Sequence, residues 1–247
     1  EVGASGEVPA VELAGLTDIA DDSPPRLIQG LGVAEGEAEA HPRRPRRSRA
    51  AAAAARYGLV VFVDDVLVAN GGRPYASVAE LEGELRRWQS FTASNRQILS
   101  EDANLDWPEN SLDALHAAAT EFAWRPAATT LRLVVHATDD DFGEAPAVQS
   151  GQRVRQTYRG TIDALRAAEV RVATFAAELG GQCECLDVKP GLRAAFGAMP
   201  SIPDATGGAS FDIDEVAAGR LSFAAVVKAT VGGAICRSYP LWPLGGR

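Results

Sequence analysis

The sequence predicts an α/β domain over residues 56–236, a doubly wound, mostly parallel sheet with helices on both faces. Three observations predict it. Short runs rich in Val, Leu and Phe alternate with segments whose apolar residues recur at helical spacing. Two of the runs, Tyr57–Val63 and Leu131–Ala137, are continuous rather than alternating, the pattern of strands buried on both faces. Both end in acidic turns, Asp64-Asp65 and Asp139-Asp140-Asp141, and ligands of such sheets bind beyond the carboxyl ends of the strands.

Taken in order, Tyr57–Val63 is the first strand, and Val66–Val68 is a short edge strand before the turn Asn70-Gly71-Gly72. Val78, Leu81, Leu85 and Trp88 mark an amphipathic helix, with Ser77 as N-cap and Glu80 three residues on. Leu112, Leu115, Ala119 and Phe122 mark a second, capped by Asn110 or Ser111. Leu131–Ala137 is a buried strand, and Gly143–Gly151 is read as a long polar loop. Tyr158, Ile162 and Leu165 mark a third helix, and Val170–Ala177 a third buried strand. Residues 182–206, with Pro190, Pro200 and Pro203, are expected to be irregular. Ser210–Ile213 is a short strand, after which Asp214 caps one closing helix carrying Val216, Leu221, Phe223, Val227 and Val231. Residues 237–247 form a tail.

The N-terminal 55 residues do not read as a folded unit. An acidic stretch is followed by Ser23-Pro24-Pro25, a weak apolar patch from Leu27 to Val33 interrupted by Gly30 and Gly32, the basic run His41–Arg49, and alanines. Composition gives a disordered linker, while the Arg, Pro and Ala bias also fits aberrant, out-of-frame translation of GC-rich DNA. Residues 1–14 lack the basic start and apolar stretch of a secretory leader.

Composition sets further bounds. The 247 residues, 46% hydrophobic, suffice for one sizeable core. A net charge of −9 argues against nucleic acid as a general partner and is compatible with cation binding. No apolar run reaches the roughly 20 residues that span a bilayer. Cys183, Cys185 and Cys236 allow one cross-link and a spare thiol, or none, and their spacing with His41, His116 and His136 is not that of a zinc site.

The chemistry concentrates in Asn104-Leu105-Asp106-Trp107-Pro108-Glu109-Asn110. In an extended segment Asn104, Asp106 and Pro108 share one side, so an amide oxygen, a carboxylate and a carbonyl can converge, while Glu109 serves a second point. Hard oxygens suit calcium, magnesium or manganese rather than zinc. The same residues also suit an ordinary surface turn.

Order and context add a resemblance. Phe62-Val63-Asp64, the pattern Asn104-x-Asp106-x-Pro108-Glu109, the helix start Ser111-Leu112-Asp113-Ala114-Leu115, Trp124-Arg125 and Thr138-Asp139 occur in sequence. The stretch from Arg56 to about Val231 resembles a von Willebrand factor A domain, most closely the I-like domain of integrin beta chains. The resemblance implies an auxiliary calcium site at Asp64, Asn104, Asp106 and the Pro108 carbonyl. It implies that Glu109 bridges to a metal-ion-dependent adhesion site, where Asp139 acts through water and a protein ligand supplies a carboxylate. It also implies a non-enzymatic adhesion role and an extracytoplasmic or cell-surface location. The chain departs from the family in one respect: no Asp-x-Ser-x-Ser follows a strand within residues 1–55, so a first central strand and half the adhesion ligands are absent from the expected set. Two other functions stay open, a metal-free scaffold of the same kind used for protein contacts, and a metal-dependent phosphoryl-transfer enzyme using Asp139 and Asp141.

Overall fold

The structure, a computed structural model, describes residues 55–92, 96–105, 108–177, 190–235 and 237–240. The expectations for residues 1–54, Asp106, Trp107, the three cysteines and most of the C-terminal tail lie outside these.

The first strand, β1 (Val60–Phe62), turns straight back into β2 (Val66–Val68). The turn is closed by Val63 N–H donating to the Asp65 carbonyl at 3.1 Å. Helix α1 (Val78–Thr92) follows. Ser77 Oγ accepts from Glu80 N–H at 3.3 Å, and Glu80 Oε2 accepts from Ala76 N–H, one residue ahead of the position a capping box uses. Then come α2 (Ser111–Thr120), β3 (Leu133–Thr138), β4 (Ala147–Gln149), β5 (Gln152–Val154) and α3 (Tyr158–Ala167). The chain continues through β6 (Arg171–Ala176), α4 (Ile202–Thr206), β7 (Ala209–Asp212), α5 (Ile213–Ala217) and α6 (Phe223–Ile235).

The expected single, mostly parallel sheet is not what forms. Among the described residues the strands make three sheets: a parallel one in the order β3-β6-β7, and antiparallel pairs β1-β2 and β4-β5. The physical reasons are local turns. The loop Val63-Asp64-Asp65 reverses the chain within three residues, so β1 pairs with its immediate successor. The segment read as a polar loop folds as a hairpin, because Ser150 (φ 42°) and Gly151 (φ 83°) adopt the positive-φ pair of a type I′ turn. With β2 as its one strand neighbour among the described residues, β1 is half-buried, not buried on both faces.

The parallel sheet carries the core. All six residues of β6 are buried, and they alternate between two helical layers. Val172 and Ala176 pack with Leu112 and Leu115 of α2, Ile162 and Leu165 of α3, and Ile202 of α4. Phe175 faces the other way, onto Val226, Val227 and Phe223 of α6, with Phe211 of β7 stacked 5.1 Å away. Each fully buried aliphatic side chain contributes roughly 1.5–3 kcal/mol, so the helices of both layers are held mainly through this strand. The closing helix also differs from expectation, since it is two helices. Asp212, not Asp214, is the cap of α5, its Oδ1 accepting from Asp214 N–H at 2.9 Å. Gly219 at φ 70° ends that turn before α6 begins.

Candidate metal centre

The centre is built on two peptide units at the N-terminus of α2. Glu109 N–H donates to the Asp141 carbonyl at 2.7 Å, and Asn110 N–H donates to the Val63 carbonyl at 2.7 Å. Consecutive residues therefore bracket the chain just beyond β3 on one side and the end of β1 on the other. Asn110 completes the bracket: its Oδ1 accepts from Asp113 N–H to cap α2, and its Nδ2 donates to the Asp64 carbonyl at 2.9 Å. Asn110 is 2% exposed, so Asn110→Ala removes a cap and strands a buried carbonyl. A loss of about 2 kcal/mol in urea denaturation is expected.

The bracket sets Glu109 against the acidic turn after β3. Glu109, Asp139 and Asp140 each offer a carboxylate oxygen, and these lie within 4.8 Å of one another. Thr138 Oγ1 donates to Glu109 Oε2 at 2.7 Å. Burial pushes the Glu109 carboxyl up to about 7; the Thr138 hydrogen bond opposes this, and the charges of Asp139, Asp140 and Asp64 add to it. The positive charge of a divalent cation among these oxygens would offset both causes of the upward shift, so the donor set fits a hard ion.

Of the residues singled out by sequence, Glu109 and Asp139 come together, and Asp64 lies close enough for its charge to act on Glu109. Asp64 is itself 1% exposed, and its carboxylate accepts from Gln97 Nε2 at 2.5 Å. The other two described residues are engaged by the β4–β5 hairpin. The Pro108 carbonyl accepts from Gln149 Nε2, and Asn104 Oδ1 accepts from Ser150 Oγ at 3.2 Å. Asp140 joins the cluster, while Asp141 contributes its main-chain carbonyl.

Gln97, fully buried, was not foreseen. Its Oε1 accepts from both Asp64 N–H and Asp65 N–H, and Asp65 in turn accepts from Ile98 and Leu99 N–H. These bonds lock the turn after β1 to a segment more than thirty residues away, and no sequence periodicity marks such an amide. His136 is a packing residue. It is buried, its Nε2 lies 3.2 Å from Ser111 Oγ, its ring stacks on Phe62, and burial lowers its pKa to about 4. Trp124 is likewise a packing residue, its indole N–H donating to the Ala118 carbonyl.

No family model and no curated protein matches the chain. The architecture is thus established at the level of an α/β fold with parallel and antiparallel sheets flanked by helices. No helix among the described residues is long and apolar enough to cross a membrane.

Proposed function

We propose that the chain is a non-enzymatic protein-binding module of the von Willebrand factor A type, similar to the I-like domain of integrin beta chains, that works through a divalent cation. The observation that carries this reading is the convergence of the Glu109, Asp139 and Asp140 carboxylates beside a bracket that ties β1 to β3. Calcium or magnesium suits these oxygens. Asp64, Asn104, Asp106 and the Pro108 carbonyl form the auxiliary ligand set of the proposal, and the partner's carboxylate completes the coordination. A cell-surface or extracytoplasmic setting belongs to the same reading.

One observation favours a second reading, a metal-free scaffold for protein contacts. Asp64, Asn104 and Pro108 already accept hydrogen bonds from Gln97, Ser150 and Gln149, so the auxiliary set is held by protein donors without a cation. Calorimetric titration with calcium and with magnesium separates the two. The first reading expects saturable binding, weakened at least tenfold by Glu109→Gln and by Asp139→Asn. Absence of binding at millimolar metal selects the scaffold.

A further inference from the structure

The β4–β5 hairpin grips the chain on both sides of Glu109. At its tip, Ser150 Oγ accepts from Leu105 N–H at 2.9 Å and donates to Asn104 Oδ1 at 3.2 Å, so one hydroxyl engages two consecutive residues. Gln149 Nε2 donates to the Pro108 carbonyl, the peptide unit that leads into Glu109. At the other end of the hairpin, Asp113 in the first turn of α2 accepts from Arg155 N–H at 3.1 Å and from Gln156 N–H at 2.8 Å. The Gln156 carbonyl accepts from Ala145 N–H at 3.0 Å and closes the base of the hairpin. Asn104, Leu105 and Pro108 upstream of Glu109, and Asp113 downstream, are therefore fastened to one small antiparallel sheet.

Gln149 suits this contact and little else. It is 4% exposed, and its Oε1 has no hydrogen-bond partner among the described residues. A buried amide with an unpaired oxygen is destabilising, so an apolar side chain is the better choice here unless the Nε2 bond matters. The amide fills the space over Gly143, where a Cβ meets its Oε1, Cδ and Nε2 at 2.6, 2.7 and 2.9 Å. Gly143 N–H donates to the Glu109 carbonyl at 3.3 Å, and Glu109 N–H donates to the Asp141 carbonyl at 2.7 Å. The Gln149 amide thus lies between the Pro108 carbonyl and the segment that pairs with Glu109. The main chain of Glu109 is fixed before its carboxylate reaches Thr138, Asp139 and Asp140, and every donor that fixes it is a protein group.

We propose that Gln149 and Ser150 are positioning residues of the metal centre, the jaws of a clamp that holds Asn104, Leu105, Pro108 and Glu109 in place without an auxiliary cation. That the clamp serves a cation rests on the reading above; that it holds the chain does not. The consequence is an order of loading. The centre at Glu109, Asp139 and Asp140 takes its cation before the auxiliary oxygens are filled, because Glu109 is ordered by folding and its ordering is not a cost of binding.

Two measurements on the full chain test this. In EDTA, hydrogen exchange at Leu105 and Glu109 is expected to be slower than unfolded-chain rates, by at least tenfold and at least 100-fold. Ser150→Ala is expected to return Leu105 to the unfolded-chain rate. Gln149→Met keeps the side-chain length and removes the donor, and is expected to speed exchange at Glu109 at least tenfold while Leu165 in α3 stays protected. Protection that appears only when calcium is added overturns the proposal, because a cation then holds the loop. Protection that survives both substitutions overturns it as well. In magnesium calorimetry, Gln149→Met is expected to weaken binding at least tenfold, whereas Ile162→Val, a remote core change, leaves it within twofold. Equal weakening by the two variants makes the effect one of general stability and overturns the positioning role. A parent protein that binds no magnesium overturns the cation reading and the positioning role with it, and the exchange in EDTA then decides the clamp alone.

Discussion

Glu109→Gln and His136→Asn are expected to tilt the dependence of stability on pH in opposite directions, each by about 3 kcal/mol. The Glu109 carboxyl, ordinarily near 4.5, is raised to about 7 in the folded protein. Between these values the folded state holds a proton that the unfolded chain has released, so Glu109 stabilises fully below pH 4.5, and that contribution is lost as pH rises to 7. His136 runs the other way. Its pKa falls from 6.5 to about 4, so the unfolded chain takes up the proton first and stability is lost as pH falls from 6.5 to 4. Each pH unit of difference is worth about 1.4 kcal/mol. In the unmodified protein the two slopes nearly cancel between pH 4.5 and 6.5. Urea denaturation at several pH values in EDTA, so that no cation holds Glu109 ionised, reads the difference between each variant and the parent. Glu109→Gln exposes the histidine limb and loses stability on acidification. His136→Asn exposes the glutamate limb and gains it. Difference profiles that stay flat across pH 4–7 overturn the assignment of both groups.

These two residues also show what the sequence makes legible. His136 sits inside a continuous apolar run, on the face of β3 that packs against Ser111 and Phe62, and is buried there while Val135 and Ala137 on the other face are exposed. Glu109 and Asp139 flank a helix start and a strand end, positions that α/β folds bring to one edge, and the structure brings them together. Helices α2 and α3 follow from periodicity because each buries a single stripe, and β6 follows from its continuous apolar run because it is covered on both faces. The division into three sheets is not legible in the sequence, because it turns on single backbone choices. Ser150-Gly151 at positive φ converts an expected loop into a hairpin, and that hairpin then takes the oxygens of Asn104 and Pro108. Gln97 escapes sequence reading for a different reason. Its partners lie 32 and 33 residues away, and one amide side chain carries no periodic signal. Gly219 and Ser222, by contrast, are ordinary stop and start signals that the apolar pattern of the closing segment masked.

Gly208→Ala is expected to destabilise the fold by about 3 kcal/mol or more, the upper part of the range for overpacking. The chain leaves α4 through Gly207 in the left-handed conformation, and Gly208 N–H closes the helix end on the Pro203 carbonyl. It then enters β7 at once, against β6. A Cβ at position 208 collides with the Val172 carbonyl oxygen and lies 2.6 Å from its carbon. Those atoms are backbone of the central strand and cannot swing aside as a side chain does. Either β7 moves out, breaking its pairing from Ala173–Ala209 to Ala176–Asp212, or β6 shifts and disturbs both helical layers. Gly83→Ala is the matched control. Gly83 lies inside α1, and an added Cβ there meets nothing within 4 Å. Its expected effect is a gain of roughly 0.5–1 kcal/mol from helix propensity. Both variants stiffen the unfolded chain equally, so the difference between them, about 4 kcal/mol by these principles, isolates the collision with β6. Urea midpoints measured side by side give that difference directly. A Gly208→Ala protein within 1 kcal/mol of the parent would mean that β7 is not seated on β6 as described, and the second helical layer, which reaches β6 through Phe211 and Phe175, would lose its anchor with it.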